Sequence, residues 1–203
     1  MKVSPGGVYG VLKRHGLNKL PQNQHKKSME HFERYEKKVP GHRIQIDVKF
    51  LTFTNKKGKS VKRFQYTAID DATRARALKI YKYHSQKCAV DFVDYVVSKF
   101  PFRIHTLQTD NGHEFQSQFH WHCEDLGMWH VYIRKASPHL NGKVERSHPT
   151  DKQEFYQLIE CTDDIDILAK FKEWEAFYTC HRPHGLFKGK TPYEVLKEKL
   201  QAV

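Results

Sequence analysis

The sequence lacks the features that place a chain in or across a membrane. It contains no run of about 18 consecutive apolar residues, the length that a transmembrane helix needs. Residues 1–5 also lack the apolar stretch of a secretory signal peptide. We therefore expect a cytoplasmic protein with no membrane partner.

Cysteines are few and scattered. The four are Cys88, Cys123, Cys161 and Cys180, and no two of them form a Cys-x-x-Cys pair. This spacing argues against a disulfide framework or a zinc ribbon and suits a reducing compartment. Four residues between positions 120 and 130 could also bind zinc, but no Cys-x-x-Cys pair is among them. We interpret them as helix-surface or half-buried residues: His120, His122, Cys123 and His130.

Acidic residues are in short supply. The chain has 23 Asp and Glu against 35 Lys and Arg, which leaves a net charge of +12. Such a surplus attracts polyanions, of which nucleic acid is the commonest. Hydrophobic residues make up 38% of the chain, which is enough for a folded core and argues against global disorder. We expect a folded protein that binds nucleic acid and has no small-molecule substrate.

The chain divides into four predicted segments. The sequence pattern of residues 1–20 predicts one helix, with Ser4 as its cap, Pro5 at its first position and Gly16 at its end. Because one helix cannot form its own core, we interpret it as the last helix of a truncated helix-turn-helix. The remaining segments are a polar linker at 21–40, the main core at 41–160 and a C-terminal helical extension at 161–203.

The main core has the pattern of a mixed sheet. From Ile44 onward, hydrophobic residues alternate with polar ones, which is typical of a strand with one buried face. A helix capped by Ser85 is also predicted, as is a third helix that Asn141 could cap. The order β-β-β-α-β-α-β-α predicts an α/β fold with a five-stranded sheet flanked by helices. The predicted strands are 44–50, 61–69, 75–83, 102–109 and 129–134, and the first two helices are 85–99 and 114–126.

Three carboxylates lie where such a fold could gather them. Asp47 is within the first strand, Asp110 directly follows the fourth, and Glu145 is in the first turns of the third helix. Each alone has an ordinary explanation, as a solvated strand residue, a turn residue or a solvated helix residue. Together they offer the oxygen ligands that Mg²⁺ prefers, and two such ions promote in-line displacement at phosphorus.

Two linked motifs give the chain a family resemblance. Segment 109–115 (Thr-Asp-Asn-Gly-His-Glu-Phe) and segment 137–146 (Ser-Pro-His-Leu-Asn-Gly-Lys-Val-Glu-Arg) resemble the catalytic core of DDE transposases and retroviral-type integrases. Bacterial insertion-sequence transposases show this similarity best. Shorter matches at 46–49, 181–185 and 190–194 extend the resemblance over most of the chain.

The resemblance implies a fold, a metal site and a reaction. The implied fold is ribonuclease-H-like, and Asp47, Asp110 and Glu145 match the family's metal-binding catalytic triad. The implied cofactors are two Mg²⁺ or Mn²⁺ ions. Water or a DNA 3′-hydroxyl would attack phosphodiesters without a covalent enzyme–DNA intermediate. The implied partners are transposon ends, target DNA and further copies of the chain, in a bacterial cytoplasm close to the nucleoid.

Residues around the motifs are predicted to contact DNA or to shape the site. Glycine leaves room for close backbone approach, and we expect Asn111, Gly112 and Gly142 to support the loops that present the carboxylates. A solvated surface charge remains the alternative for each basic residue. The predicted DNA contacts are Lys13, Arg14, Lys135, Asn141, Lys143, Arg146 and Lys152.

Departures from the family pattern keep other interpretations open. The 34 residues between Asp110 and Glu145 are one fewer than is usual in the family. Pro149 replaces a usual basic residue, and a proline four residues after Glu145 predicts a kinked helix, at a cost of about 3 kcal/mol or more. With most of the helix-turn-helix missing, one alternative is a catalytically impaired DNA-binding remnant of a truncated insertion element. Another is a plain ribonuclease-H-type nuclease.

Overall fold

The first compact unit of the protein contains a single described helix. The chain divides into the units Met1–Tyr35 and Glu36–Val203. Helix α1 spans Pro5–Arg14, and Ser4 Oγ accepts a hydrogen bond from the Gly7 backbone N–H at 3.2 Å, which confirms the predicted cap. Most of the predicted linker lies outside the described residues. The computed structural model describes residues 4–18, 37–54, 58–133, 141–158 and 164–201, without the side chains of 164 and 165.

The second unit is built on a mixed five-stranded sheet, as predicted. The strand order is β3-β2-β1-β4-β5, so β1 is central. Antiparallel pairing joins β1 to β2 and β2 to β3, whereas β1 to β4 and β4 to β5 are parallel. The strands are β1 (Ile44–Thr54), β2 (Ser60–Asp70), β3 (Arg76–Tyr81), β4 (Thr106–Thr109) and β5 (Trp129–Tyr132).

Helices cover both faces of this sheet. On one face, Ile44 and Ile46 pack with Phe92 and Phe119 in the larger core cluster. On the other face, Leu51 packs in a second cluster with α5. No helix in the described ranges is long and apolar enough to cross a membrane. The helices are α2 (Gln86–Lys99), α3 (Gln118–Asp125), α4 (Gly142–Asp151), α5 (Asp164–Cys180) and α6 (Pro192–Gln201), with a π-helical turn at Lys152–Tyr156.

Two elements were predicted to begin several residues earlier than they do in the structure. The fourth strand begins at Thr106 and not at residue 102, because the His105 backbone N–H donates to the Gly41 carbonyl instead of to a strand. The turn at Gly41 has a φ of +75°, and a side chain there would collide with the Arg103 carbonyl oxygen. The predicted helix 114–126 begins only at Gln118, because Ser117 has a φ of +40° and interrupts it.

The C-terminal helical extension docks on the sheet through a buried charged network. Arg76 and Asp151 form an ion pair at 2.6 Å, and neither side chain is exposed. The same carboxylate accepts hydrogen bonds from Trp174 Nε1 at 2.7 Å and Gln65 Nε2 at 2.8 Å. The Arg76 guanidinium also lies over the Tyr178 ring, 3.7 Å from its centroid. The network therefore joins β2, β3, the end of α4 and α5.

Removing the Asp151 carboxylate is expected to destabilise the protein strongly. An Asp151→Ala substitution leaves the buried Arg76 charge without its partner, which costs about 3 to 5 kcal/mol. The free energy of unfolding can be measured by urea denaturation. The exposed Asp125 at the end of α3 provides the matched control, Asp125→Ala. A loss for Asp151→Ala as small as that of the control would contradict this role.

Candidate active site

Asp47 lies in the middle of the central strand. It pairs with Thr67 of β2, and its side chain is on the same face of β1 as Gln45 and Lys49. The Asp47 side chain is 20% exposed. A carboxylate in this position is therefore partly removed from water, on the face of β1 that α4 contacts.

Asp110 directly follows β4, and its position along the strand direction is close to that of Asp47. The parallel pairs Ile44↔Leu107 and Gln45↔Gln108 fix the register of β4 on β1. The same register continued by two positions brings Asp110 beside Asp47. Asp110 is exposed, and its Oδ1 accepts a hydrogen bond from the Gly112 backbone N–H at 3.0 Å. Asp110 thus turns the chain as it leaves the sheet.

Glu145 reaches the same region because Gln45 anchors the start of α4. The Gln45 Oε1 atom accepts hydrogen bonds from the backbone N–H groups of Lys143 at 3.1 Å and Val144 at 3.3 Å. These are first-turn groups that the helix itself cannot satisfy. Asn141 occupies the N-cap position, but its side chain makes no capping hydrogen bond, so that part of the prediction was wrong.

The charges of Asp110 and Glu145 act on Asp47. Burial raises the pKa of Asp47 to about 7, and the nearby charges of Asp110, Glu145 and Glu114 add to the rise. A hydrogen bond with the Val48 backbone lowers the pKa of Asp47 in part. The other carboxylates are therefore close enough to Asp47 for their charges to raise its pKa.

His148 adds no compensating charge at neutral pH. Its Nδ1 atom lies 3.6 Å from Asp47 Oδ2. Burial lowers the pKa of His148 to about 4, and the Lys49 charge contributes in the same direction. Lys49 itself donates to the His148 carbonyl oxygen at 3.2 Å. The negative charge around Asp47 is thus of the kind that a divalent cation with oxygen ligands would neutralise.

The three carboxylates are not drawn into a tight cluster. Among the described residues, one group of three metal-ligating side chains has all its ligand atoms within 4.8 Å of one another, and it consists of His84, His113 and Glu114. As a set of three oxygen donors, Asp47, Asp110 and Glu145 fit Mg²⁺ or Mn²⁺.

The predicted supporting residues have definite contacts. The Asn111 side chain donates to the Ile133 carbonyl oxygen at 2.9 Å and so ties the Asp110 turn to the end of β5. Gly112 makes room for a neighbour, because a Cβ atom there would lie 2.5 Å from Glu114 Oε2. Gly142 is the first residue of α4.

The predicted DNA contacts are found in several different environments. Arg146 and Lys152 are exposed on the helical segment that carries Glu145. Lys143 pairs with the buried Asp71 carboxylate, and Asn141 is buried. Lys13 and Arg14 are exposed on α1, in the other unit, and Lys135 lies outside the described residues.

Sequence reasoning missed two residues near this site. Gln45 anchors α4, and its only signal was its place on the same strand face as Asp47. Glu114 is 4% exposed and acts on the Asp47 carboxylate, although its motif position alone predicted a helix start. Both roles depend on contacts between segments that are distant in sequence.

Comparison with known proteins gives partial matches to integrases. The profile of the family described as "Integrase core domain" matches residues 126–192. The "Putative integrase ORF3" of Spiroplasma virus SpV1-C74 is 27% identical over 192 residues, which cover 86% of this chain and 52% of that protein. The chain thus spans about half the length of this curated relative. The matches support an integrase core and do not single out a bacterial insertion sequence.

Solved structures show the same fold. A chain of the simian T-cell lymphotropic virus intasome has a TM-score of 0.65 at 17% identity, over 80% of this chain and 56% of that one. The HTLV-2 integrase catalytic core domain in complex with magnesium has a TM-score of 0.62 at 20% identity, over 78% and 97%. The catalytic core domain of BIV integrase has a TM-score of 0.60 at 19% identity, over 80% and 97%. The chain therefore has the α/β, ribonuclease-H-like fold of integrase catalytic cores.

Proposed function

We propose that the protein cuts and joins DNA strands in DNA integration or transposition, as a DDE-type polynucleotidyl transferase. One observation supports this most directly: burial raises the pKa of Asp47 on the central strand to about 7, and the charges of Asp110 and Glu145, from two other elements, add to the rise. Carboxylates that repel one another in this way are a suitable donor set for Mg²⁺ or Mn²⁺.

In the proposed reaction, Asp47, Asp110 and Glu145 would hold two divalent ions, which would supply activation of the attacking oxygen and stabilisation of the leaving oxygen. The oxygen of water or of a DNA 3′-hydroxyl forms a new bond to phosphorus and loses its proton to solvent. The opposite P–O3′ bond breaks, and the leaving 3′ oxygen takes up a proton from solvent to become a hydroxyl. No Ser or Tyr nucleophile is needed. Gln45 contributes indirectly, because it fixes the helix that carries Glu145.

The DNA would be held by the basic surface near the triad. Arg146 and Lys152 are exposed on the segment that carries Glu145, and the whole chain has a net charge of +12. Lys13 and Arg14 would add phosphate contacts from the first unit. We propose transposon ends and target DNA as substrates, a homo-oligomer as the working form and a bacterial cytoplasm near the nucleoid as its location.

A branched DNA that mimics the strand-transfer product provides the test. Its resolution reverses strand joining and should depend less on recognition of specific DNA ends. We expect purified full-length protein to release the resolved strands in Mg²⁺ or Mn²⁺ and not in EDTA. Preference for an RNA–DNA hybrid would favour a plain ribonuclease-H-type nuclease instead. Absence of resolution with DNA binding intact would favour a catalytically impaired DNA-binding remnant.

Pro149 is the observation that favours this impaired remnant. It lies inside α4, which continues through it to Asp151 and passes into the π-helical turn, so the helix is not terminated there. A proline has no N–H to donate to the Glu145 carbonyl four residues earlier. The backbone of the catalytic turn thus lacks one of its usual helical hydrogen bonds.

A Pro149→Arg substitution is expected to increase both stability and activity. An interior proline costs about 3 kcal/mol or more, and an error of about 1 Å in catalytic geometry can cost a hundredfold in rate. The branched-DNA resolution rate and the melting temperature should both rise, and Gln153→Arg, at an exposed position of the π-helical turn, is the control for the added positive charge. An unchanged resolution rate would mean that Pro149 does not impair the enzyme.

A further inference from the structure

A second group of ligands lies beside the proposed triad but uses different atoms. His84 precedes α2, and His113 and Glu114 form the 3₁₀ turn that follows the Asp110 loop. Two hydrogen bonds hold these segments together. Gln86 Nε2 donates to the His113 carbonyl oxygen at 3.2 Å, and the Gln118 backbone N–H donates to Gln86 Oε1 at 3.1 Å.

The ligand atoms of this group converge without hydrogen-bond geometry. His84 Nε2 lies 2.8 Å from Glu114 Oε1, and His113 Nδ1 lies 3.4 Å from Glu114 Oε2. Neither His84 Nε2 nor Glu114 Oε2 has a hydrogen-bond partner among the described residues. The Glu114 side chain is only 5% exposed. An unpartnered oxygen in such a buried carboxylate is costly, and a bound cation would offset this cost.

The surroundings hold two of the three ligands, His84 and Glu114, in place before any ion binds. The His84 ring stacks on Phe64 with a centroid distance of 5.2 Å and contacts the edge of Phe50. The open space at Gly112 accommodates the Glu114 carboxylate. Because packing fixes both groups, little conformational freedom is lost when an ion binds.

We propose that His84, His113 and Glu114 bind a borderline transition-metal cation of the Zn²⁺ class, separately from the Mg²⁺ or Mn²⁺ of the triad. Two imidazoles and one carboxylate are a known zinc donor set with a further position open to water, whereas Mg²⁺ prefers oxygen ligands alone. The His113 side chain is 68% exposed, so water can reach the ion. Bound metal would tie the turn after Asp110 to the start of α2.

Zinc binding in excess Mg²⁺ tests this site without relying on DNA cleavage. Competition with a chromophoric chelator measures the affinity and number of Zn²⁺ ions bound to full-length protein. We expect Glu114→Gln and His113→Asn each to weaken one Zn²⁺ site by at least tenfold, since loss of even an outer-shell partner costs about 10- to 100-fold. His122→Asn, in α3, is the matched control and should bind Zn²⁺ like the parent.

A second readout separates ligand loss from misfolding. Zn²⁺ should raise the melting temperature of the parent and of His122→Asn but not of His113→Asn, because an ion bound only to the folded state stabilises it. His113 is exposed, so its substitution is expected to leave the metal-free melting temperature unchanged. Equal Zn²⁺ affinity in the parent, His113→Asn and Glu114→Gln would overturn the proposal. That result would not bear on the proposed function of the triad, because the triad variants are tested by their rate of DNA resolution.

Discussion

A Glu145→Gln protein is expected to lose DNA strand cleavage and joining while it keeps its fold and its affinity for DNA. The substitution preserves the shape of the side chain but removes the negative charge that would hold a divalent ion. Loss of an outer-shell partner of a metal costs about 10- to 100-fold, so loss of a ligand should cost more than about 100-fold. The Mn²⁺-dependent resolution rate of branched DNA measures the effect.

The control for this experiment removes the same charge elsewhere. Glu173 is exposed on α5, and Glu173→Gln should resolve branched DNA at the parental rate. Circular dichroism and a DNA-binding titration would establish that Glu145→Gln is folded and competent to bind. If that variant resolved DNA within a few-fold of the parent, the proposed role of Glu145 would be wrong.

An Asp47→Asn protein is expected to be more stable than the parent at pH 8 in EDTA, although it should be inactive. The pKa of Asp47 is about 7 in the folded chain, against an ordinary value of 3.8. An ionised Asp47 therefore disfavours the folded state, and asparagine removes this cost. A gain of roughly 2 to 4 kcal/mol is expected. It would raise the melting temperature by roughly 5 to 10 °C.

The pH dependence identifies the cause of this gain. Below the unfolded pKa, both states of the parent hold the Asp47 proton, so the substitution should have little effect. Between pH 3.8 and about 7 the unfolded state has lost this proton while the folded state still holds it, so the parent loses stability progressively, and the loss levels off above about pH 7. Melting curves from pH 5 to pH 8 measure the trend, with the exposed Asp125→Asn as control. A gain that does not grow with pH would refute this account.

Local sequence patterns were sufficient to predict most of the fold. The alternation from Ile44 reflects one strand face that packs in the larger core cluster, and the cap at Ser85 accepts from the Cys88 backbone N–H as expected. In the predicted C-terminal helical extension, Phe171, Trp174 and Tyr178 repeat at helical spacing and are buried, whereas Phe177 is 44% exposed. Such features depend on neighbours within a few residues, which is why periodicity detects them.

The parts that the sequence could not predict depend on contacts between distant segments. The start of β4 was misplaced because residues before it bond to the turn at Gly41. Nothing in the local sequence indicated that the Lys143 ammonium pairs with Asp71, 72 residues away in sequence. The cap of α4 comes from Gln45 and not from the adjacent Asn141. No local preference for capping or charge contains this information.

The anchoring of α4 by Gln45 bears on how much length variation the protein tolerates. Because a residue of β1 holds the first turn of α4, the positions of Asp47 and Glu145 depend on one strand face and its bonded helix. A change in the number of residues before residue 141 would leave these two hydrogen bonds available, because both donors belong to the first turn of α4 and the acceptor belongs to β1. We therefore expect insertions and deletions before residue 141 to leave the relative positions of Asp47 and Glu145 unchanged.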